Sequence, residues 1–170
     1  MSALLLMRHG EPNYRNGTGE LTERGLRQVR IVAKELIEAG IRPDIIISSD
    51  LPRAKHTARV LAEELMLVGM ETVMSVDERL KEMETTLRNG GIQTGIRGAL
   101  SELNNKYQTV AIISHKDELA QAAVLLTGQS LSLGYAQAGL VKCYEDTWAN
   151  SAGSNLNMYE RTFMPNPNHR

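Results

Sequence analysis

Three short apolar runs in this chain lead straight into residues that can carry charge or a proton. Leu4-Leu5-Leu6-Met7 runs into Arg8-His9-Gly10, Asp44-Ile45-Ile46-Ile47-Ser48 leads to Ser49 and then Arg53, and the run from Thr109 to Ser114 ends at His115. Two of the chain's 4 histidines and two arginines therefore follow three candidate strands. Gathered in one pocket, they suit a phosphoryl group. Guanidinium forks match phosphate oxygens and keep their charge at any working pH. A neutral imidazole can attack phosphorus with one ring nitrogen, provided an acceptor such as a backbone carbonyl holds the other and fixes the tautomer. The reaction also needs an acid for the leaving oxygen, which can later activate water. Arginines can neutralise the transferring group, so this chemistry requires no metal. The chain has no H-x-x-x-H, no C-x-x-C and no run of close carboxylates, so no metal and no cofactor is expected.

The surrounding pattern predicts the frame that would position such a pocket. Ala3 to Met7 reads as a buried strand. Thr22 is a helix cap candidate, Glu23 suits a first turn, and Leu26, Val29, Ala33, Leu36 and Ile37 recur at helical spacing up to Gly40. Strand signals follow at Asp44–Ser48, Thr72–Val76, Thr109–Ser114, Leu140–Tyr144 and, as an edge strand, Leu156–Phe163; helical ones span Ala54–Leu67, Ile96–Lys106 and Glu118–Leu126, the last closed by Gly128. Continuous apolar strands separated by helices predict an α/β three-layer sandwich with a mostly parallel central sheet. Ligands of open sheets of this kind sit beyond the carboxyl ends of the strands, where the arginines and histidines fall.

Length and composition set the outer bounds. The chain has 170 residues, the size of one domain, with 42% hydrophobic residues but only 4% aromatics, so the core must be aliphatic. Nineteen basic against 20 acidic side chains leave a net charge of −1, which argues against binding to nucleic acid or an anionic membrane. Cys143 is the single cysteine, so no internal disulfide can form; with no leader-like or membrane-spanning start, a soluble, cytoplasmic protein is expected. A glycine-rich stretch over residues 83–98 reads as a short lid, and 165–170 as a loose tail. An exposed edge of the mixed sheet leaves room for a homodimer.

The motifs together resemble the histidine phosphatase superfamily. Leu6-Met7-Arg8-His9-Gly10-Glu11 resembles its signature, and Leu21-Thr22-Glu23-Arg24-Gly25 with Gln28 resembles the start of its first helix. Ser48-Ser49-Asp50-Leu51-Pro52-Arg53-Ala54 with Thr57-Ala58, Leu80-Lys81-Glu82 and Ile113-Ser114-His115 resemble three further blocks in the same order, so the likeness runs from residue 3 to about 128. The resemblance implies a phosphoglycerate mutase-like fold. It also implies that His9 becomes phosphorylated, that Arg8, Arg53 and His115 hold the phosphoryl oxygens, and that Glu82 is the leaving-group acid and then the base for water, with Glu84 as the nearest rival. In length the chain resembles the small phosphohistidine phosphatases and compact small-molecule phosphatases of that family.

Two departures bear on substrate. Lys116 stands where the family often has glycine, and its charge could reach the mouth of the pocket; Asn16, on the short stretch from Glu11 to Glu20, is a second candidate contact. A mutase must shield its phosphoenzyme from water. The short lid argues for letting water in, and so for a phosphatase of phosphomonoesters or phosphohistidine, acting on a phosphorylated small molecule or a phosphoprotein. The alternatives are a phosphoglycerate-type mutase and a weak phosphate-binding module without an effective acid. His56 is expected to be an ordinary exposed helix residue, His169 inert, Arg88 and Arg97 solubilising charges, and Cys143 a packing residue.

Overall fold

A computed structural model describes residues 2–81, 95–153 and 157–165. Six strands form one sheet in the order β3-β2-β4-β1-β5-β6. They are β1 (Ser2–Arg8), β2 (Ile45–Ser48), β3 (Val73–Val76), β4 (Thr109–Ser114), β5 (Ala138–Cys143) and β6 (Met158–Phe163). The pairs β1–β4, β2–β4 and β2–β3 are parallel, while β1–β5 and β5–β6 are antiparallel. The expectation of a mostly parallel sheet holds, with two antiparallel strands added at one side.

The central strands are apolar on both sides because both faces are covered. On one face Leu5, Met7, Ile46, Ala111 and Ile113 pack under α1 (Glu23–Glu38) and α2 (Pro52–Leu67). On the other, Leu4, Leu6, Ile45, Ile47, Val110 and Ile112 meet α3 (Ile96–Ser101), α4 (Lys116–Thr127) and α5 (Trp148–Gly153). Alternate residues of one strand thus feed opposite cores, which makes the three layers.

The helices begin and stop for local reasons. Thr22 caps α1 by accepting from the Gly25 N–H at 2.9 Å. Pro52 occupies the first turn of α2, two residues before the predicted start. His115 stands at the N-cap of α4, which also begins two residues early. Gly40 and Gly128 have φ of 73° and 71°, the left-handed conformation that ends α1 and α4. By contrast α3 stops at Ser101, short of the predicted Lys106; beyond it the Asn104 side chain accepts from the Lys106 N–H in a turn of its own. Residues 96–98, assigned to the end of the lid from sequence, belong to this helix, and residue 95 is its N-cap; the rest of the lid, 83–94, lies outside the described residues. Helix α5 was not expected. It is held by Trp148, whose indole N–H donates to the Tyr107 carbonyl at 2.8 Å and whose ring is buried.

Two contacts flank the segment between Lys81 and Gly95. Arg79 takes Asp77 with Nε and Nη2 and Glu102 with Nη1 and Nη2, all at 2.6–3.1 Å. Asp77 and then Glu102 hold Arg79 above the usual guanidinium range. Lys81 Nζ meets Asp50 at 2.8 Å, in the loop that follows β2.

Candidate active site

The carboxyl ends of β1, β2 and β4 lie level: Arg8 is opposite Ser114, and Ser48 is opposite Ile113. The next residue of each strand, His9, Ser49 and His115, therefore leaves the sheet at one edge. His9 and His115 are each only 4% exposed, and their ring centroids lie 5.2 Å apart. Ser49 Oγ lies 2.8 Å from His115 Nε2, joining the end of β2 to the end of β4.

His9 is fixed at three points. Its N–H donates to the Ser114 carbonyl at 3.2 Å, its carbonyl accepts from the Ala136 N–H at 3.0 Å, and Nδ1 lies 2.8 Å from the Gly10 carbonyl. A carbonyl can only accept, so Nδ1 carries the proton and Nε2 keeps its lone pair. The Gly10 N–H in turn donates to Thr57 Oγ1 at 3.0 Å, and the Thr57 hydroxyl donates to the Arg53 carbonyl at 2.7 Å. This relay ties the loop after His9 to the helix turn that carries Arg53. On the other flank Glu11 accepts from the Thr22 hydroxyl at 2.7 Å, and its N–H donates to Gln28. Gly25 matters here for space rather than conformation, because a Cβ would run into the Glu11 backbone.

Both histidines are held neutral. Burial, opposed by the Gly10 carbonyl and assisted by the charges of Arg53 and Arg8, lowers His9 to about 4. Burial, then His9, Arg53 and Arg8, lowers His115 to about 3. The charges of the same two arginines act on both rings. A buried imidazole with a lone pair on Nε2, under the influence of two guanidinium charges, can offer a phosphoryl dianion a nitrogen nucleophile.

Residues 4–94 match the histidine phosphatase superfamily (branch 1). The chain belongs to that superfamily. A 2,3-bisphosphoglycerate-dependent phosphoglycerate mutase of Rhizobium rhizogenes is 35% identical over 88 residues, 48% of this chain and 41% of that protein. The chain thus spans less than half the length of the curated relatives it matches. Among solved structures, the protein histidine phosphatase SixA, complexed with tungstate, shares the fold with a TM-score of 0.77 at 18% identity, over 96% of this chain and 97% of that one. A mycobacterial glucosyl-3-phosphoglycerate phosphatase complexed with VO3 does so with a TM-score of 0.66 at 21% identity, over 94% and 97%.

For a histidine phosphatase superfamily member, the remaining candidates are distributed unevenly. Glu82 and Glu84 lie outside the described residues, as do Arg88 and His169. Lys116 is exposed in the first turn of α4, beside His115. Asn16 is also exposed, and its side-chain oxygen is engaged by the N–H and hydroxyl of Thr18 within a turn. Arg97 sits half-buried in α3. His56 differs from expectation: it is half-buried and its Nδ1 accepts from the Leu21 N–H at 3.2 Å, linking α2 to the cap of α1. Cys143 is buried, and burial pushes its thiol up to about 11, in keeping with a packing role.

Sequence reading missed Tyr135. Its ring centroid lies 4.2 Å from the Arg8 guanidinium carbon and 5.8 Å from the His9 ring centroid. The signal was the sheet direction. β5 runs antiparallel to β1, with Ala138 opposite Met7, so the turn entering β5 arrives at the same edge that the parallel strands leave. Among the described residues, no group of three or more His, Cys, Asp or Glu could hold a metal ion, and no helix is long and apolar enough to cross a membrane.

Proposed function

We propose that this chain is a cytoplasmic, metal-independent phosphatase that hydrolyses phosphomonoesters or phosphohistidine through a phosphohistidine intermediate on His9. The observation that carries this reading is the 2.8 Å contact between His9 Nδ1 and the Gly10 carbonyl, which leaves Nε2 of a neutral imidazole with its lone pair, within the influence of the Arg53 and Arg8 charges. His9 Nε2 attacks phosphorus and the P–O (or P–N) bond to the leaving group breaks. The leaving atom takes a proton from a carboxylic acid. Water then attacks the phosphohistidine, gives its proton to the same carboxylate, and releases phosphate and neutral His9. Arg8, Arg53 and His115 hold the phosphoryl oxygens throughout, and Lys116 and Asn16 serve as outer substrate contacts.

Glu82 is the proposed acid. Two neighbouring contacts support the role: the Ser114 hydroxyl donates to the Leu80 carbonyl at 2.8 Å, and Lys81 pairs with Asp50 next to Ser49. The chain therefore passes the ends of β2 and β4 just before residue 82. The likeness to a phosphoglycerate mutase covers 48% of this chain and 41% of that protein, so it does not by itself favour a mutase.

Phosphate release from p-nitrophenyl phosphate in the presence of EDTA tests the reading. Turnover that persists with EDTA and drops by about a thousandfold or more in His9→Ala is the expected result. Turnover that survives in His9→Ala, or that EDTA abolishes, overturns it.

A further inference from the structure

The turn from Leu133 to Gln137 is fastened to Arg8 and His9 more tightly than a connection into a strand requires. The Leu133 carbonyl accepts from Arg8 Nη1 at 3.2 Å. The Gln137 carbonyl accepts from the Arg8 N–H, and the Ala136 N–H donates to the His9 carbonyl, both at 3.0 Å. The turn also braces itself: the Gly134 N–H donates to the Gln137 side-chain oxygen at 2.8 Å, and the Gln137 N–H donates back to the Gly134 carbonyl at 3.1 Å. Within it Ala136 has φ of 56°, the one non-glycine residue at positive φ among those described. An alanine held in the left-handed region persists only where its surroundings over-determine it, and such strain gathers at functional sites. The strained residue lies directly after Tyr135.

We propose that Tyr135 is a positioning residue for Arg8. One hydrogen bond to the Leu133 carbonyl fixes one nitrogen of the guanidinium but leaves its plane free to swing about a flexible stem. The Tyr135 ring, 4.2 Å from the guanidinium carbon, supplies the second restraint and sets the plane. The same ring stands 5.8 Å from the His9 ring, tilted 44°, so it also walls the nucleophile on the side where Arg8 sits. Arg8 is thereby presented to the phosphoryl dianion in one orientation, and the Ala136 strain is the cost of turning the ring inward.

The inference rests on the site's reading as a phosphoryl pocket, and binding of inorganic phosphate to the full chain, by titration calorimetry, separates the two. Wild type should bind phosphate; if it does not, the functional reading fails and this inference with it. Given wild-type binding, Tyr135→Leu should weaken it by about fivefold, the worth of a partly desolvated cation–π contact, and Tyr135→Phe should recover most of that loss. In an Arg8→Ala background the Tyr135→Leu change should have no further effect, which a merely structural tyrosine would not reproduce. Tyr135→Met gives the same reading if the leucine variant does not fold. Binding within twofold of wild type in a folded Tyr135→Leu or Tyr135→Met protein, an equal loss in the Arg8→Ala background, or no recovery in Tyr135→Phe overturns the proposal.

Discussion

Ser49 Oγ and His115 Nε2 lie 2.8 Å apart at the ends of two neighbouring strands, and this contact orients an imidazole that has been stripped of water. Ser49→Ala removes the hydroxyl from that ring nitrogen and loosens its orientation towards the proposed phosphoryl position. Catalytic efficiency should fall by about tenfold, with a stability loss of about 1–3 kcal/mol from the unmet buried polar group. Steady-state kinetics and a melting curve on the same preparation check both figures.

Thr57 works through the Gly10 N–H. Thr57→Val keeps the shape of the side chain but removes the acceptor, leaving that buried N–H unpaired and loosening the carbonyl that fixes the His9 tautomer. Activity should drop more than stability, which should change by about 1–3 kcal/mol. Thr57→Ser should restore both, since it keeps the hydroxyl; a serine variant as poor as valine would show that the methyl, not the bond, matters.

Burial of two neutral histidines predicts acid sensitivity. Unfolded histidine takes up a proton near ~6.5. Folded His9 waits until about 4 and His115 until about 3. Between those values the unfolded chain binds more protons, so the stability these groups contribute is full above ~6.5 and is lost as pH falls towards 4. Melting temperature should decline over that window, and less so in His115→Gln. Imidazole resonances assigned to His9 and His115 should keep neutral shifts at pH 5; titration of either near 6.5 would contradict the burial argument.

Gly25→Ala tests the packing of α1 against the loop after His9. The added methyl meets the Glu11 backbone, which cannot step aside as a side-chain tip could. A loss of about 1–3 kcal/mol is expected, together with reduced turnover, because Glu11 follows Gly10 directly. Chemical denaturation gives the first quantity. An unchanged midpoint would mean that the helix start slides at little cost.

Ala136→Gly relaxes the left-handed strain before β5. Stability should rise by up to about 1 kcal/mol, with activity equal to or below wild type as the turn becomes freer. A loss of stability would show that the methyl packs more than it strains.

The sequence made the parallel half of the sheet readable, because Leu4–Met7, Ile45–Ile47 and Val110–Ile113 are unbroken apolar runs that only doubly covered strands produce. It pointed to Arg8, His9, Arg53 and His115 for a related reason: each comes after such a run, and parallel strands deliver their trailing residues to one edge. The turn at Tyr135 was hidden because that rule concerns carboxyl ends, whereas antiparallel β5 presents its amino end. Helix α5 was hidden because six residues around Trp148 are too few to show a period, and their hold comes from Tyr107 and Asn105. The end of α3 was misread because residues 104–106 form a turn held by the Asn104 side chain, which hydrophobic spacing does not register.

Arg79, gripping Asp77 and Glu102 at once, makes the stretch from 85 to 94, which leaves out Glu82 and Glu84, an exchangeable cassette. Its two attachment points are joined by side chains rather than by the stretch itself, and closing a longer loop between joined ends adds little entropy cost. Replacement segments of varied length could therefore be grafted at that position while the strand ends bearing His9 and His115 keep their register. Changes made in that stretch would then be an engineering problem separable from the strand ends.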